Sequence, residues 1–124
     1  MPEQHTWLSL LERRLRRLAD TIRADWGIYV RFVNGGEEIA INADETHDTM
    51  STIKIPILVT LIRAVAEGKA DLSQRVTLSD SHKRLGTGVL FLFDEGASFT
   101  IKDAAWLMTV ISDNTATDIC LDAA

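Results

Sequence analysis

The stretch Met50-Ser51-Thr52-Ile53-Lys54, which opens the apolar run Ile55–Ile62, constrains this chain more than any other. The run predicts a helix from about Thr49 to Glu67, ending at Gly68 as the residue just past its last turn. On such a helix Ser51 and Lys54 stand at i and i+3, with their Cβ atoms about 5–6 Å apart on one face. Helical side chains lean toward the N-terminus, so Lys54 reaches back over the turn that carries Ser51. That turn holds unpaired N–H groups and the positive end of the helix dipole. A hydroxyl, a reachable amine and a positive helix end are the parts of an activated serine nucleophile. The plainer alternative makes Ser51 a cap and Lys54 a solvated side chain, and a Ser-x-x-Lys arises by chance in roughly every second chain of this length. Pro56 removes one backbone donor five residues after Ser51 and is expected to tighten or bend the first turns.

Charge and composition exclude several function classes. The chain has 124 residues, 46% apolar and 25% charged, an ordinary globular balance with room for a modest core. A net charge of −5 argues against nucleic acid as a partner. No apolar run reaches the roughly 20 residues that span a bilayer, since Pro56 and Thr60 interrupt Ile55–Ile62 and Arg63 ends it. Residues Met1–Thr6 do not begin a secretory signal, because Glu3 and Arg13–Arg17 leave no clean apolar segment. The protein is therefore expected in the periplasm or secreted if a signal was removed, and in the cytoplasm otherwise. Cys120 is the only cysteine, and His5, His47 and His82 are scattered, so neither an internal disulfide nor a metal-ligand spacing is present; no cofactor is expected.

Read in order, the chain mixes helices with a hairpin. Leu8, Leu11, Leu15, Leu18 and Ile22 form one stripe of an amphipathic helix that ends by Gly27, with Arg13, Arg14, Arg16 and Arg17 on its solvated side. Ile28–Val33 and Glu38–Ile41 read as two strands around Asn34-Gly35-Gly36, residues that tolerate positive φ. Asn42–Thr49 is a polar loop. Asp71–Ser81 is short and mixed, with Val76 and Leu78 in extended conformation, and Gly86-Thr87-Gly88 marks a loop before the apolar Val89–Phe93. Thr100 and Asp103 predict a capping box on a helix Ile101–Ile111. Ser112-Asp113-Asn114 breaks that helix, and Thr115–Leu121 resumes it. The last residue, Ala124, follows without Gly, Pro or a polar terminator, and a lone hairpin is marginal in water, so the chain reads as truncated.

Ser112-Asp113-Asn114 taken alone is a polar break of three turn-favouring residues, found by chance in about one such chain in fifty. About 60 residues after a Ser-x-x-Lys it is far more specific. With Met50–Pro56, Gly86-Thr87-Gly88-Val89-Leu90 and Ser112–Thr117, the chain resembles the class A-like serine β-lactamases and β-lactamase-like serine hydrolases along essentially its full length. The resemblance implies an α+β fold of the β-lactamase/transpeptidase type. Residues 1–45 would supply the N-terminal helix and hairpin of the sheet domain. Residues 46–124 would supply the first part of the all-helical domain, with the C-terminal half absent. It also implies that Ser51 is acylated by a β-lactam carbonyl and that Lys54 helps take its proton. Ser112 would pass a proton to the departing nitrogen, and Asn114 would hold Lys54 and the substrate amide, while Asp113 anchors the turn. The Ser51 N–H would be half of an oxyanion hole.

The family's Lys-Thr-Gly strand motif is missing. Gly86-Thr87-Gly88 is a poor stand-in, because it lacks the lysine and precedes Ser-Asp-Asn. The deacylating glutamate would also lie beyond Ala124, so residues 1–124 alone are expected to be inactive. A C-terminal fragment or a second copy is expected to complete the sheet, and the partner molecule to be a β-lactam or a peptidoglycan-like substrate. Alternatives are a D-alanyl-D-alanine carboxypeptidase or other penicillin-binding protein, and a non-catalytic sensor that keeps the penicillin-binding shape. A Ser-x-x-Lys esterase would carry Tyr-x-Asn where Ser112 stands. A His47-Asp48-Ser51 triad lacks the Gly-x-Ser-x-Gly elbow.

Overall fold

Leucines at alternating spacings of three and four residues wind the start of the chain into helix α1 (Thr6–Asp20). The computed structural model describes residues 6–124, so His5 and the opening of the chain lie outside the described residues. Leu8, Leu11 and Leu15 are half-buried, while Leu18 and Ile22 are exposed. The helix stops at Asp20, earlier than the stripe predicts. Thr21 and Ile22 turn their N–H groups back to Leu18 and Ala19 at 3.1 Å, and the Thr21 hydroxyl donates to the Leu18 carbonyl at 2.6 Å. Together these tighten and close the last turn. The arginines stand on the exposed face, where Arg16 pairs with Glu12 at 2.7 Å.

The hairpin is antiparallel, β1 (Ile28–Arg31) on β2 (Glu38–Ile41), with Ile28 opposite Ile41 and Val30 opposite Ile39. This register puts all four aliphatic side chains on one face, and Ile39 and Ile41 are buried there. α1 packs against β2. The first strand is two residues shorter than expected because the turn begins at Phe32, whose carbonyl accepts from Gly36 at 3.1 Å. Gly36 supplies the required positive φ of 71°, and Val33 is left 97% exposed at the tip. Trp7 meets Phe32 edge to face at 4.8 Å. These elements form one compact unit, which runs as far as Asp48.

The second unit, residues 49–124, is mainly helical. A 3₁₀ turn over Met50–Ile53 leads into α2 (Lys54–Ala66). Ser51 thus stands in a 3₁₀ turn and not in the α-helix itself, as suits a segment followed by a proline with no N–H. α2 ends as its sequence predicts: Gly68 adopts φ 70°, Gly68 N–H donates to Val65 at 3.1 Å and Lys69 N–H to Ala64 at 2.8 Å.

A second strand pair, β3 (Arg75–Thr77) on β4 (Ser98–Thr100), was not legible as a sheet, since each strand has only three residues. It seats the next helix. At the start of α3 (Ile101–Val110), Ile101 and Lys102 donate their N–H groups to the carbonyls of Gln74 and Leu72, each at 2.9 Å. Asp103 N–H goes to the Thr100 hydroxyl at 3.1 Å, and Thr100 N–H returns to the Asp103 carboxylate at 2.8 Å. All four N–H groups that a helix start leaves open, those of Thr100, Ile101, Lys102 and Asp103, are thereby satisfied. The bonds from Thr100 hold the Asp103 carboxyl below its ordinary range.

α3 and α4 (Asn114–Asp122) pack against each other, and Ala104 and Ala116, one on each helix, are both fully buried. Around them Ile57, Leu61, Leu90, Ile101, Met108, Ile119 and Cys120 form one core. Burial pushes the Cys120 thiol up to about 11. No helix among the described residues is long and apolar enough to cross a membrane.

Candidate active site

The break between α3 and α4 places three consecutive side chains for three tasks. The chain leaves α3 through Ser112 in the left-handed conformation, φ 59°, a position where glycine or asparagine is usual and another residue costs of the order of 1 kcal/mol. Asp113 then caps α4, its carboxylate accepting from Ala116 N–H at 2.9 Å. The other carboxylate oxygen accepts from the N–H groups of Val89 and Leu90 at 2.6 and 2.9 Å. Asp113 is fully buried, so it ties the loop before Leu90 to the start of α4. Asn114 follows as the first residue of α4, with its N–H on the Thr87 carbonyl at 2.9 Å and its side-chain Nδ2 on the Leu85 carbonyl at 3.0 Å. That bond orients the amide so that Oδ1 faces Lys54.

Lys54 is the hub. It is only 7% exposed, and its Nζ lies 2.7 Å from Ser112 Oγ, 2.8 Å from the Ser112 carbonyl, 3.0 Å from Asn114 Oδ1 and 3.2 Å from Ser51 Oγ. Ser112 Oγ closes the triangle by donating to Ser51 Oγ at 2.9 Å. The eclipsing of i and i+3 in a 3₁₀ turn brings Ser51 under the Lys54 amine. Among the described residues no carboxylate is bonded to Lys54 or Ser51; the amine's four hydrogen-bond partners there are neutral oxygens. A proton can therefore pass between Ser51, Lys54 and Ser112 along bonds of 2.7–3.2 Å without leaving the group. The triangle opens on a cleft of about 490 Å³, lined by Met50, Leu85, Asn114 and Thr117 among others.

All four residues singled out in the sequence, Ser51, Lys54, Ser112 and Asn114, thus converge within one unit. From sequence, Gly86-Thr87-Gly88 is a loop that shares in the family resemblance, with no role in the site. The two glycines take φ 109° and 117°, and a Cβ on Gly86 would come within 2.7 Å of Asn114 Nδ2, while one on Gly88 would collide with Asp113. The loop is pressed against Ser-Asp-Asn because it has no side chains there. Two glycines flanking a hydroxyl upstream of that tripeptide were the available signal. His47 belongs to the other unit, where its ring lies over Gly27. A larger hollow of about 840 Å³ in that first unit, lined by Arg16, Asp20, Arg23 and Trp26 among others, has opposed charges and no serine, cysteine or lysine in its lining. Among the described residues no cluster of His, Cys, Asp and Glu is placed to hold a metal ion.

Asp113→Ala is expected to leave three N–H groups without their acceptor, those of Leu90 and Ala116 buried and that of Val89 part-buried, at about 1–3 kcal/mol for each buried one before relaxation. Urea unfolding should reveal a loss of several kcal/mol. Asp113→Asn should also destabilise, by less, because in either orientation the amide NH₂ opposes a backbone donor, Ala116 N–H at the least.

A model of the Beta-lactamase enzyme family matches residues 10–124. The chain is 30% identical to PBP-A, with a TM-score of 0.85, covering 94% of this chain and 44% of that one; one such structure is a mutant in acyl-enzyme complex with penicillin-G. It is 32% identical to a beta-lactamase from Sphaerobacter thermophilus, with a TM-score of 0.79, covering 90% of this chain and 42% of that one. Among curated proteins it is 28% identical over 111 residues to the beta-lactamase regulatory protein BlaB of Streptomyces cacaoi, covering 86% of this chain and 36% of that protein. The chain thus spans less than half the length of these relatives. Its match to the family nonetheless runs through almost every residue, and the chain belongs to the beta-lactamase enzyme family.

Proposed function

We propose that the complete polypeptide is a serine hydrolase that opens a β-lactam ring through an acyl-enzyme on Ser51. The observation that carries this reading is the closed hydroxyl–amine–hydroxyl triangle of Ser51, Lys54 and Ser112. Ser51 Oγ attacks the lactam carbonyl carbon while its proton passes to the unprotonated Lys54 amine. The C–N bond breaks, and Ser112 delivers a proton to the nitrogen while receiving one from Lys54. Asn114 keeps Lys54 in place and offers its amide to the substrate. Water must then cleave the ester. The described residues bring no carboxylate to Ser51 for that step, so its general base is assigned to polypeptide beyond these residues, and residues 1–124 alone are expected not to turn over.

A C-terminal fragment of the same protein, or a second copy, completes the sheet and the site. Two observations support this: the chain's share of its solved relatives, and the exposed aliphatic row Ile55, Val59 and Ile62 on α2. The likeness to a regulatory protein supports a second reading, in which the complete protein binds or is acylated by a β-lactam or peptidoglycan-like ligand as a sensor. Mass spectrometry of the intact protein during incubation with penicillin G separates the two. A short-lived adduct with released penicilloate marks a hydrolase, and a persistent adduct marks a penicillin-binding protein or sensor. A peptide map placing the adduct away from Ser51 would overturn both.

A further inference from the structure

Lys54 has more acceptors around it than its amine can serve once it loses a proton. An ammonium has three N–H donors and a neutral amine two. In the acyl-transfer reading above, on which this inference rests, the amine must turn a lone pair toward Ser51. Its two remaining N–H groups then face three oxygens: Ser112 Oγ, the Ser112 carbonyl and Asn114 Oδ1. One oxygen is left without a donor from lysine.

Thr87 stands where that donor is needed. Its Oγ1 lies 2.8 Å from the Ser112 carbonyl and 3.3 Å from Asn114 Oδ1, the same two acceptors that Lys54 uses. Its backbone cannot drift, because the Thr87 carbonyl receives Asn114 N–H at 2.9 Å and the flanking glycines pack on Asn114 and Asp113. We propose that Thr87 is a positioning residue whose hydroxyl supplies the hydrogen bond that Lys54 gives up on losing its proton, thereby holding the base-competent amine aimed at Ser51. The hydroxyl carries a single proton and can pivot between the two oxygens, so it serves whichever one lysine releases.

The direction of the pH effect follows. Without the Thr87 hydroxyl, the two N–H groups of the neutral amine leave one of the three oxygens unserved, whereas the three of the ammonium serve them all, so removing the hydroxyl favours the protonated lysine. The rise of acylation with pH then moves to higher pH. Several other charged groups on the surrounding elements are already engaged. Arg84 and Asp118, which line the same cleft, pair at 2.6 Å. Asp113 accepts from three backbone N–H groups. On α2, Arg63 pairs with Glu67 at 2.8 Å, and on α3, Asp103 is bonded to Thr100 at the end remote from Ser112.

The test is the rate of Ser51 acylation by penicillin G against pH, measured on the complete polypeptide by quenched-flow mass spectrometry. Thr87→Val keeps the shape and puts a methyl where the hydroxyl was, which also excludes a replacement water. Its acid limb should move up by about one pH unit, with a rate about tenfold lower below the limb and equal to the parent above it. Thr87→Ser should restore the parent profile. Thr87→Ala, which admits a water, should shift the limb in the same direction by less, and it carries the test if the valine variant does not fold. A Thr87→Val or Thr87→Ala limb superimposed on the parent, or a loss equal at all pH values, overturns the role of Thr87 and leaves the acyl-enzyme reading standing. A parent protein that forms no Ser51 adduct overturns that reading and this inference with it.

Discussion

Ser51→Ala is expected to abolish the covalent adduct with penicillin G completely while leaving the fold intact. No other residue in the triangle can replace it as nucleophile, because Ser112 Oγ is committed to Lys54 and Ser51 and is half-buried behind them. Ser51 is exposed at the mouth of the cleft, and removing one exposed hydroxyl should change stability by no more than about 0.5 kcal/mol. Intact mass and urea unfolding, run on the same preparation, separate the two effects. An adduct that persists on the alanine variant would remove Ser51 from the chemistry.

Lys54→Ala should slow acylation by about 10²–10⁴-fold, the range of a positioned proton-transfer group. The larger end is favoured here, since the same side chain both receives the Ser51 proton and holds Ser112 and Asn114. Its loss also strips a donor from the Ser112 carbonyl, leaving it the Thr87 hydroxyl among the described residues. Ser112→Ala should be milder, about ten- to a hundredfold, because a water can enter the vacated space and carry a proton between Lys54 and the leaving nitrogen. Single-turnover rates with a chromogenic cephalosporin, measured on the complete polypeptide, rank the two. Equal rates for Lys54→Ala and the parent would contradict proton transfer through lysine.

What the sequence by itself determined is what neighbours along the chain decide between them. Ser51 and Lys54 meet because three residues of helical or 3₁₀ backbone bring them together whatever else the protein does. Thr100 and Asp103 close their capping box, and Gly68 ends α2, for the same reason: each bond spans only a few residues. The α+β class and the resemblance to serine β-lactamases follow from such local pieces in order.

The tertiary structure alone decided the rest. Three-residue strands such as β3 and β4 carry too little alternation to reveal a partner 21 or more positions away, and their pairing exists because it satisfies the start of α3. The departure of Ser51 from the α-helix into a 3₁₀ turn could be anticipated from Pro56 only as a tightening, not as a geometry. Nor does the chain announce that Lys54 will be buried among neutral oxygens, because Ser112 and Asn114 reach it only after α3 and α4 have packed against each other and α4 against α2. Gly86-Thr87-Gly88 is the sharpest case. By composition it is a loop, and only the close approach of Asp113 and Asn114 makes its missing side chains necessary and its one hydroxyl available to the acceptors of Lys54.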